Sequence, residues 1–198
     1  MGQYQHRPSE TSCIECGVGK YVDVTGSSHE SECIECSVGR WYGGTGSGDA
    51  ADCIACGVGK YLDSSGNDAA SDCIDCGAGR WSGARALSDA ALCTPCAAGT
   101  FSENAVNDHP SDCIACVAGT YSAQLGLSGR EGCVQCSVGR FTSVPAATAC
   151  VSCAAGTYVD VVGSDDCIAC VGGRYVAATG SDHADDCIRC AAGRYVGS

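Results

Sequence analysis

The chain has 198 residues, among them 28 glycines and 20 cysteines, and a net charge of −12. About one residue in ten is cysteine, which points to a disulfide scaffold or to metal clusters and away from an ordinary cytosolic enzyme. Eleven lysines and arginines against 23 acids exclude a nucleic-acid partner, because a phosphate backbone is bound by clustered cations.

In chain order, residues 1 to 12 come first. They carry Gly2 and Tyr4, with Cys13 eleven positions after the glycine, and the same interval separates Gly139 from Cys150 and Gly156 from Cys167. Residues 1–12 are therefore expected to be a partial repeat, the tail of a unit whose own cysteines are missing. The opening MGQYQHRPSE has neither the basic start nor the apolar core of a secretory signal, and no apolar run approaches the length of a membrane span.

From Cys13 a nine-residue phrase, CIECGVGKY, sets in and recurs. It begins at Cys13, Cys33, Cys53, Cys73, Cys93, Cys113, Cys133, Cys150, Cys167 and Cys187, spaced by twenty residues six times, seventeen twice, then twenty. Such a period marks a repeat architecture, here ten tandem units over residues 13–198, the last one incomplete. Between the two cysteines stands Ile14, Ile34, Ile54, Ile74, Thr94, Ile114, Val134, Val151, Ile168 or Ile188, always β-branched and so suited to a strand. Three residues after the second cysteine every copy has glycine, Gly19 and its equivalents through Gly193, which predicts positive φ or a backbone passing too close for a Cβ. Two residues later stands an aromatic: Tyr21, Trp41, Tyr61, Trp81, Phe101, Tyr121, Phe141, Tyr158, Tyr175 or Tyr195. These rings are expected to cover cystines and to stack between units as a ladder.

The rest of each unit is rich in Gly, Ser, Thr, Asp and Asn and varies in length. It reads as a short strand from the aromatic onward, a turn such as TGSS or SSGN, and a return into the next cysteine, with no helical periodicity. The predicted fold is a small disulfide-rich β structure, an extended solenoid or rod of tandem β-hairpin repeats of 17–20 residues without helices. Each repeat would touch its immediate neighbours only. A twenty-residue unit buries too little surface to offset its conformational entropy, so cross-links must contribute the rest.

Two chemistries use a C-x-x-C array. Paired C-x-x-C motifs with a sixteen-residue gap fit a zinc pattern, and Gly17, Gly57 and Gly77 directly after the second cysteine resemble zinc knuckles. Four-cysteine zinc sites would, however, pair the units into doublets, and odd and even units show no alternation. Disulfides are the favoured reading, in line with the use of cystine frameworks outside the cell. A bridge within one C-x-x-C is the redox-active form, usually beside a helix N-terminus, which is lacking. Joining the second cysteine of one unit to the first of the next instead closes each variable loop at its base. That pairs Cys16 with Cys33, Cys36 with Cys53, Cys56 with Cys73, Cys76 with Cys93, Cys96 with Cys113, Cys116 with Cys133, Cys136 with Cys150, Cys153 with Cys167 and Cys170 with Cys187. Cys13 and Cys190 are left over, which predicts either a window cut from a longer array or joining by intermolecular pairing.

The pattern C-x-x-C-x-x-G-x-aromatic, with a variable loop to the next C-x-x-C, resembles the ephrin-receptor-like cysteine-rich repeats, from Gly2 to Tyr195. The family often has proline after the second cysteine, where this chain has Gly, Ser, Ala or Val. The resemblance implies an extracellular, disulfide-bonded, extended array with each bridge across its loop. Long uninterrupted arrays of this kind are similar to parts of large surface and fibre proteins, which implies a structural role.

No catalytic constellation is legible. His29, His109 and His183 each stand four residues before a cysteine in distant units and are expected to be exposed loop residues, as is His6. Acids just before cysteine (Glu32, Asp52, Asp72, Asp112, Asp166, Asp186) and bases after the repeated glycine (Lys20, Arg40, Lys60, Arg80, Arg140, Arg174, Arg194) form two rows that predict ion pairs across the loop base. Asp182, Asp185 and Asp186 in GSDHADDC offer a weak Ca2+ site without a spaced ligand loop. Asn67, Asn104 and Asn107 lack the N-glycosylation sequon, whereas Thr25, Ser27, Ser28, Ser64 and Ser65 are candidates for O-glycans, or simply turn formers. The sequence therefore predicts a non-enzymatic extracellular or cell-surface protein without cofactor, a rod or filament that self-associates or continues into the same array. A receptor or adhesin ectodomain stalk is the alternative, and an intracellular zinc-binding repeat protein a third.

Overall fold

The computed structural model describes residues 1–7, 11–192 and 194. The chain divides into two compact bodies, one of Met1–Thr94 with Asn104–Asp112, the other of Pro95–Glu103 with Cys113–Ser198.

Both bodies are built from two-residue strands paired antiparallel. In the first body Gln3–Tyr4 pairs with Ile14–Glu15, Lys20–Tyr21 with Ile34–Glu35, Arg40–Trp41 with Ile54–Ala55, and Lys60–Tyr61 with Ile74–Asp75. The second body repeats the plan, pairing Thr100–Phe101 with Ile114–Ala115, Thr120–Tyr121 with Val134–Gln135, Arg140–Phe141 with Val151–Ser152, Thr157–Tyr158 with Ile168–Ala169, and Arg174–Tyr175 with Ile188–Arg189. The register sets each aromatic opposite the β-branched residue of the next phrase, as Tyr21 lies opposite Ile34 and Phe101 opposite Ile114, a favourable cross-strand pair. This is a small disulfide-rich β fold, and no α-helix occurs among the described residues.

Two local features differ from the sequence expectation. The strands end on the aromatic instead of starting there, because the next residue turns inward and its N–H is committed elsewhere: Val22 N–H donates to the Ser47 carbonyl (3.0 Å) and Leu62 N–H to Leu87 (2.9 Å). Isolated parallel bridges accompany these bonds, joining Tyr21 to Ser47, Tyr61 to Leu87 and Tyr121 to Ala147. The return into the next cysteine is not simply extended either. Among the described residues, single 3-10 turns stand at Glu30–Glu32, Ala50–Asp52, Ala70–Asp72, Ala90–Leu92, Pro110–Asp112, Arg130–Gly132 and Ala184–Asp186.

The core is a series of small clusters, each centred on a pair of cysteines. Val22 packs with Cys16 and Cys33 under Tyr4, Leu62 with Cys56 and Cys73 under Trp41, and Leu87 with Cys76 and Cys93 under Tyr61. In the second body Phe101 is itself buried with Cys116 and Leu127, against Cys133. A ring therefore seals the cysteine pair of the phrase after its own, and full burial of a side chain such as Val22 or Leu62 beneath it contributes about 1.5–3 kcal/mol.

Contacts reach further than the adjacent unit. Gly59 has φ +70°, and a Cβ there would stand 2.9 Å from the carbonyl oxygen of Asn107, two units further on. The same overlap, closer still, sets Gly19 against Gly66, Gly39 against Ala86, Gly99 against Ala146 and Gly139 against Gly180. The expectation of contact between immediate neighbours alone is thus one unit too short. The physical reason is the loop length, since each loop extends past its neighbour to cover the phrase beyond it.

Candidate functional site

Nine bridges define the repeated chemistry of the chain. Cys16–Cys33, Cys36–Cys53, Cys56–Cys73 and Cys76–Cys93 lie in the first body. Cys96–Cys113, Cys116–Cys133, Cys136–Cys150, Cys153–Cys167 and Cys170–Cys187 lie in the second. Their Cα–Cα distances run from 5.6 to 5.8 Å, the ordinary range for a cystine. Bridged sulfurs offer no thiolate, so the zinc-binding alternative falls away for these eighteen cysteines. Cys13, exposed, and Cys190, half-buried, carry free thiols.

The backbone around each bridge is pinned from both sides. The N–H of the second cysteine donates to the repeated glycine of the phrase before, as Cys36 to Gly19 (2.8 Å) and Cys136 to Gly119 (2.9 Å). The carbonyl of that cysteine accepts from a turn residue in the loop of the next unit, as Cys16 from Gly46 (2.9 Å) and Cys116 from Ala146 (2.9 Å). That turn residue has positive φ in eight of the nine loops: Gly26, Gly46, Gly66, Ala86, Gly126, Ala146, Gly163 and Gly180. It stands ten positions after the second cysteine of its own unit every time, in long and short units alike, a regularity in the sequence that reading the loops as variable overlooks. The exception is Val106, beside which the buried Asn107 side chain supplies the bonds, its Nδ2 donating to the Arg80 and Asn104 carbonyls at 2.8 Å each.

Trp41 and Tyr61 lie over the cystines of the next phrase and Phe101 is buried against Cys116, rather than these rings lying over one another. Among the described residues the ring pair in contact is His6 with His29, edge to face at 5.9 Å, and Tyr195 lies outside the described residues. Face stacking along a ladder is thereby replaced by ring on cystine, because the loop reaching across from the next unit separates successive rings.

The two charged rows do not pair with each other as expected. The acids before cysteine accept from backbone N–H groups at the 3-10 turns: Asp72 Oδ2 from Asp68 and Ala69, Asp112 Oδ2 from Asp108 and His109, Asp186 Oδ2 from Asp182 and His183. Arg40, Arg80 and Arg174 donate instead to the carbonyls of Cys53, Cys93 and Cys187 at 2.8 to 2.9 Å, and Lys60 pairs with Asp75. A donor of five N–H groups suits an unpaired carbonyl at the loop base, while a short Asp serves best as a cap.

Asp185 sits 3.4 Å from His183 Nδ1, and among the described residues no group of three or more His, Cys, Asp or Glu side chains is arranged to hold a metal ion. Of the O-glycan candidates, Thr25, Ser28, Ser64 and Ser65 are exposed, and Ser65 Oγ donates to Glu35. Ser27 is 6% exposed and its hydroxyl, buried beneath the turn, has no hydrogen-bond partner, so the folded chain has no room there for a sugar. No helix among the described residues is long and apolar enough to cross a membrane.

Residues 146–187 match the family model of the ephrin-receptor-like repeat, described as tyrosine-protein kinase ephrin type A/B receptor-like. No curated protein matches the chain. The match and the dense cystines together point to an extracellular or secreted location. The segment so matched contains the Cys150 and Cys167 phrases with the Cys153–Cys167 and Cys170–Cys187 bridges; this segment is similar to the ephrin-receptor-like cysteine-rich repeat, and its bridge geometry recurs at the other bridges of the chain.

Proposed function

We propose that this chain is a non-catalytic structural element of the cell exterior, a cystine-stapled rod that acts as part of a longer filament or array. The observation that carries it is the relayed cover: one phrase's ring seals the next bridge, and its glycine receives the turn two units on. Units built this way are stabilised by addition of further units rather than by a closed core. Cys13 and Cys190, unbridged in this fold, are the natural points of covalent joining between chains. The O-glycan candidates that remain, Thr25, Ser28, Ser64 and Ser65, would decorate the loops.

Small-angle scattering of the oxidised protein tests the rod. The radius of gyration should lie well above the roughly 16–17 Å of a compact 198-residue domain. A value in that compact range overturns the proposal. Non-reducing electrophoresis of native material tests the joining: very large, reductant-sensitive species are expected, whereas a discrete band near 20 kDa with two titratable thiols counts against it. A receptor or adhesin stalk is the second reading, favoured by the family match. It would be supported by a protein partner that binds one loop and is lost when that loop alone is exchanged.

A further inference from the structure

Three histidines stand four positions before the cysteine that closes their loop, and the fold uses them differently. His109 and His183 accept on Nδ1 the backbone N–H two residues on, those of Ser111 and Asp185, at 3.2 Å each. Asp49 and Asp89 hold the same position and accept likewise from Ala51 and Ala91. His29 heads the equivalent turn, Glu30–Glu32, without capping it. Its ring lies against His6 instead, edge to face, with centroids 5.9 Å apart.

Backbone and side-chain bonds position both rings. Gly2 N–H donates to the Val22 carbonyl and Gln5 N–H to that of Ser27, at 3.0 Å each, which lays residues 2–5 along the first cystine loop and brings His6 to His29. The His6 ring makes no hydrogen bond among the described residues. His29 Nδ1 is 2.8 Å from Ser28 Oγ, which donates to Glu32 Oε1 (3.4 Å), while Glu32 Oε2 accepts the Ser28 N–H (3.2 Å). A hydroxyl has one proton to give, and a carboxylate only accepts. With that proton on the side of Glu32, His29 Nδ1–H donates to Ser28 and the ring's lone pair is left on Nε2. Such a carboxylate-backed imidazole is oriented to ligate a metal. A cleft of about 490 Å³ opens beside the two rings, and Glu30 and Arg7 on its wall balance in charge.

We propose that His6 and His29 together ligate a divalent metal ion of the zinc type, which clasps residues 2–6 to the first cystine loop. The inference is independent of the rod reading. Imidazole nitrogen favours Zn2+, Cu2+ and Ni2+ over Ca2+ and Mg2+, which take oxygen ligands. Zn–N bonds of about 2.0–2.1 Å place the centroids of two ligating imidazoles about 5–6 Å apart. The two rings already stand at that separation. No third His, Cys, Asp or Glu is arranged to join them among the described residues, so water in the open cleft fills the remaining positions. The site is therefore an open, exchangeable one, unlike a closed structural site with four protein ligands.

Equilibrium dialysis against Zn2+ tests this, with the oxidised full chain bearing Cys13→Ser and Cys190→Ser so that neither thiol competes for the ion. One exchangeable Zn2+ per chain is expected. His6→Gln and His29→Gln should each weaken its binding by about tenfold or more, while His109→Gln and His183→Gln leave it unchanged. Ser28 is a positioning residue: Ser28→Ala should weaken binding about tenfold, the usual effect of losing an outer partner, and Ser28→Thr should restore it. Zn2+ should also slow amide exchange at Gln5 in the parent chain and not in the His29→Gln variant. The nine bridges, checked by intact mass, report that each variant is folded. A chain that takes up no Zn2+, or whose binding is unchanged by either His6→Gln or His29→Gln, overturns the proposal.

Discussion

Within the second body, long and short cystine loops stand side by side. Cys116–Cys133 and Cys170–Cys187 enclose a sequence separation of 17, Cys136–Cys150 and Cys153–Cys167 one of 14. The short loops lack the 3-10 turn that the long ones place at Arg130–Gly132 and Ala184–Asp186. They keep the positive-φ residue, Ala146 or Gly163, and its bond back to Cys116 or Cys136. The Cα–Cα distance across the bridge is 5.7 Å in one and 5.8 Å in the other, as in the long loops. The first half of a loop is therefore tied to the preceding unit and fixed in length, while the second half bonds mainly to itself and acts as a spacer.

The largest test of this equivalence removes whole bridges. Cys153→Ala with Cys167→Ala, and separately Cys116→Ala with Cys133→Ala, should each cost about 2–4 kcal/mol in urea unfolding, differing by less than about 0.5 kcal/mol since closure entropy grows only as the logarithm of loop length. A long-loop cost larger by several kcal/mol would break the comparison. Next comes the repeated glycine. Gly119 has φ +81° with the Gly163 carbonyl where its Cβ would be, whereas Gly156 has φ +86° with nothing within 4 Å. Gly119→Ala should then cost about 2–3 kcal/mol and Gly156→Ala only about 1 kcal/mol, the conformational part alone. Equal losses in thermal unfolding would show that the approach of the distant turn adds nothing.

A smaller effect is expected from deleting Ala184–Asp186, which converts a long loop into a short one. The cost should stay under about 1 kcal/mol, that of a lost cap, with nine bridges still formed by intact mass. Failure to close Cys170–Cys187 would refute the spacer role. Smallest of all, Ala146→Gly should stabilise by about 0.5–1 kcal/mol, because alanine at φ +57° bears a strain that glycine does not. A loss on that substitution would mean that the Ala146 methyl group has a packing role.

The repeat, the strand-forming β-branched position and the hairpin class were legible because each depends on local spacing, which a sequence displays directly. The glycine illustrates both the reach and the boundary of such reading. Its positive φ follows from the absence of a side chain in every copy, but that Gly19 meets Gly66 while Gly156 meets nothing rests on separations, 47 residues for Gly19, that no local pattern reveals. Ser27 was misjudged for a similar reason: its neighbours are polar and loop-like, yet it follows the positive-φ residue and is carried under the turn. The acids before cysteine looked like ion-pair partners only because the 3-10 turns that they cap have too short a period to register in the sequence.

Pulling on such a chain would not draw on most of its residues. With each loop shunted by its bridge, the covalent route under tension runs along a C-x-x-C segment of about 10 Å at full stretch and then across a bridge spanning 5.6 to 5.8 Å between Cα atoms. A twenty-residue unit free of bridges would lengthen to about 65–70 Å. The oxidised chain is thus nearly inextensible beyond about 16 Å per unit, and the second half of each loop, carrying no load, is mechanically free to vary in sequence and length.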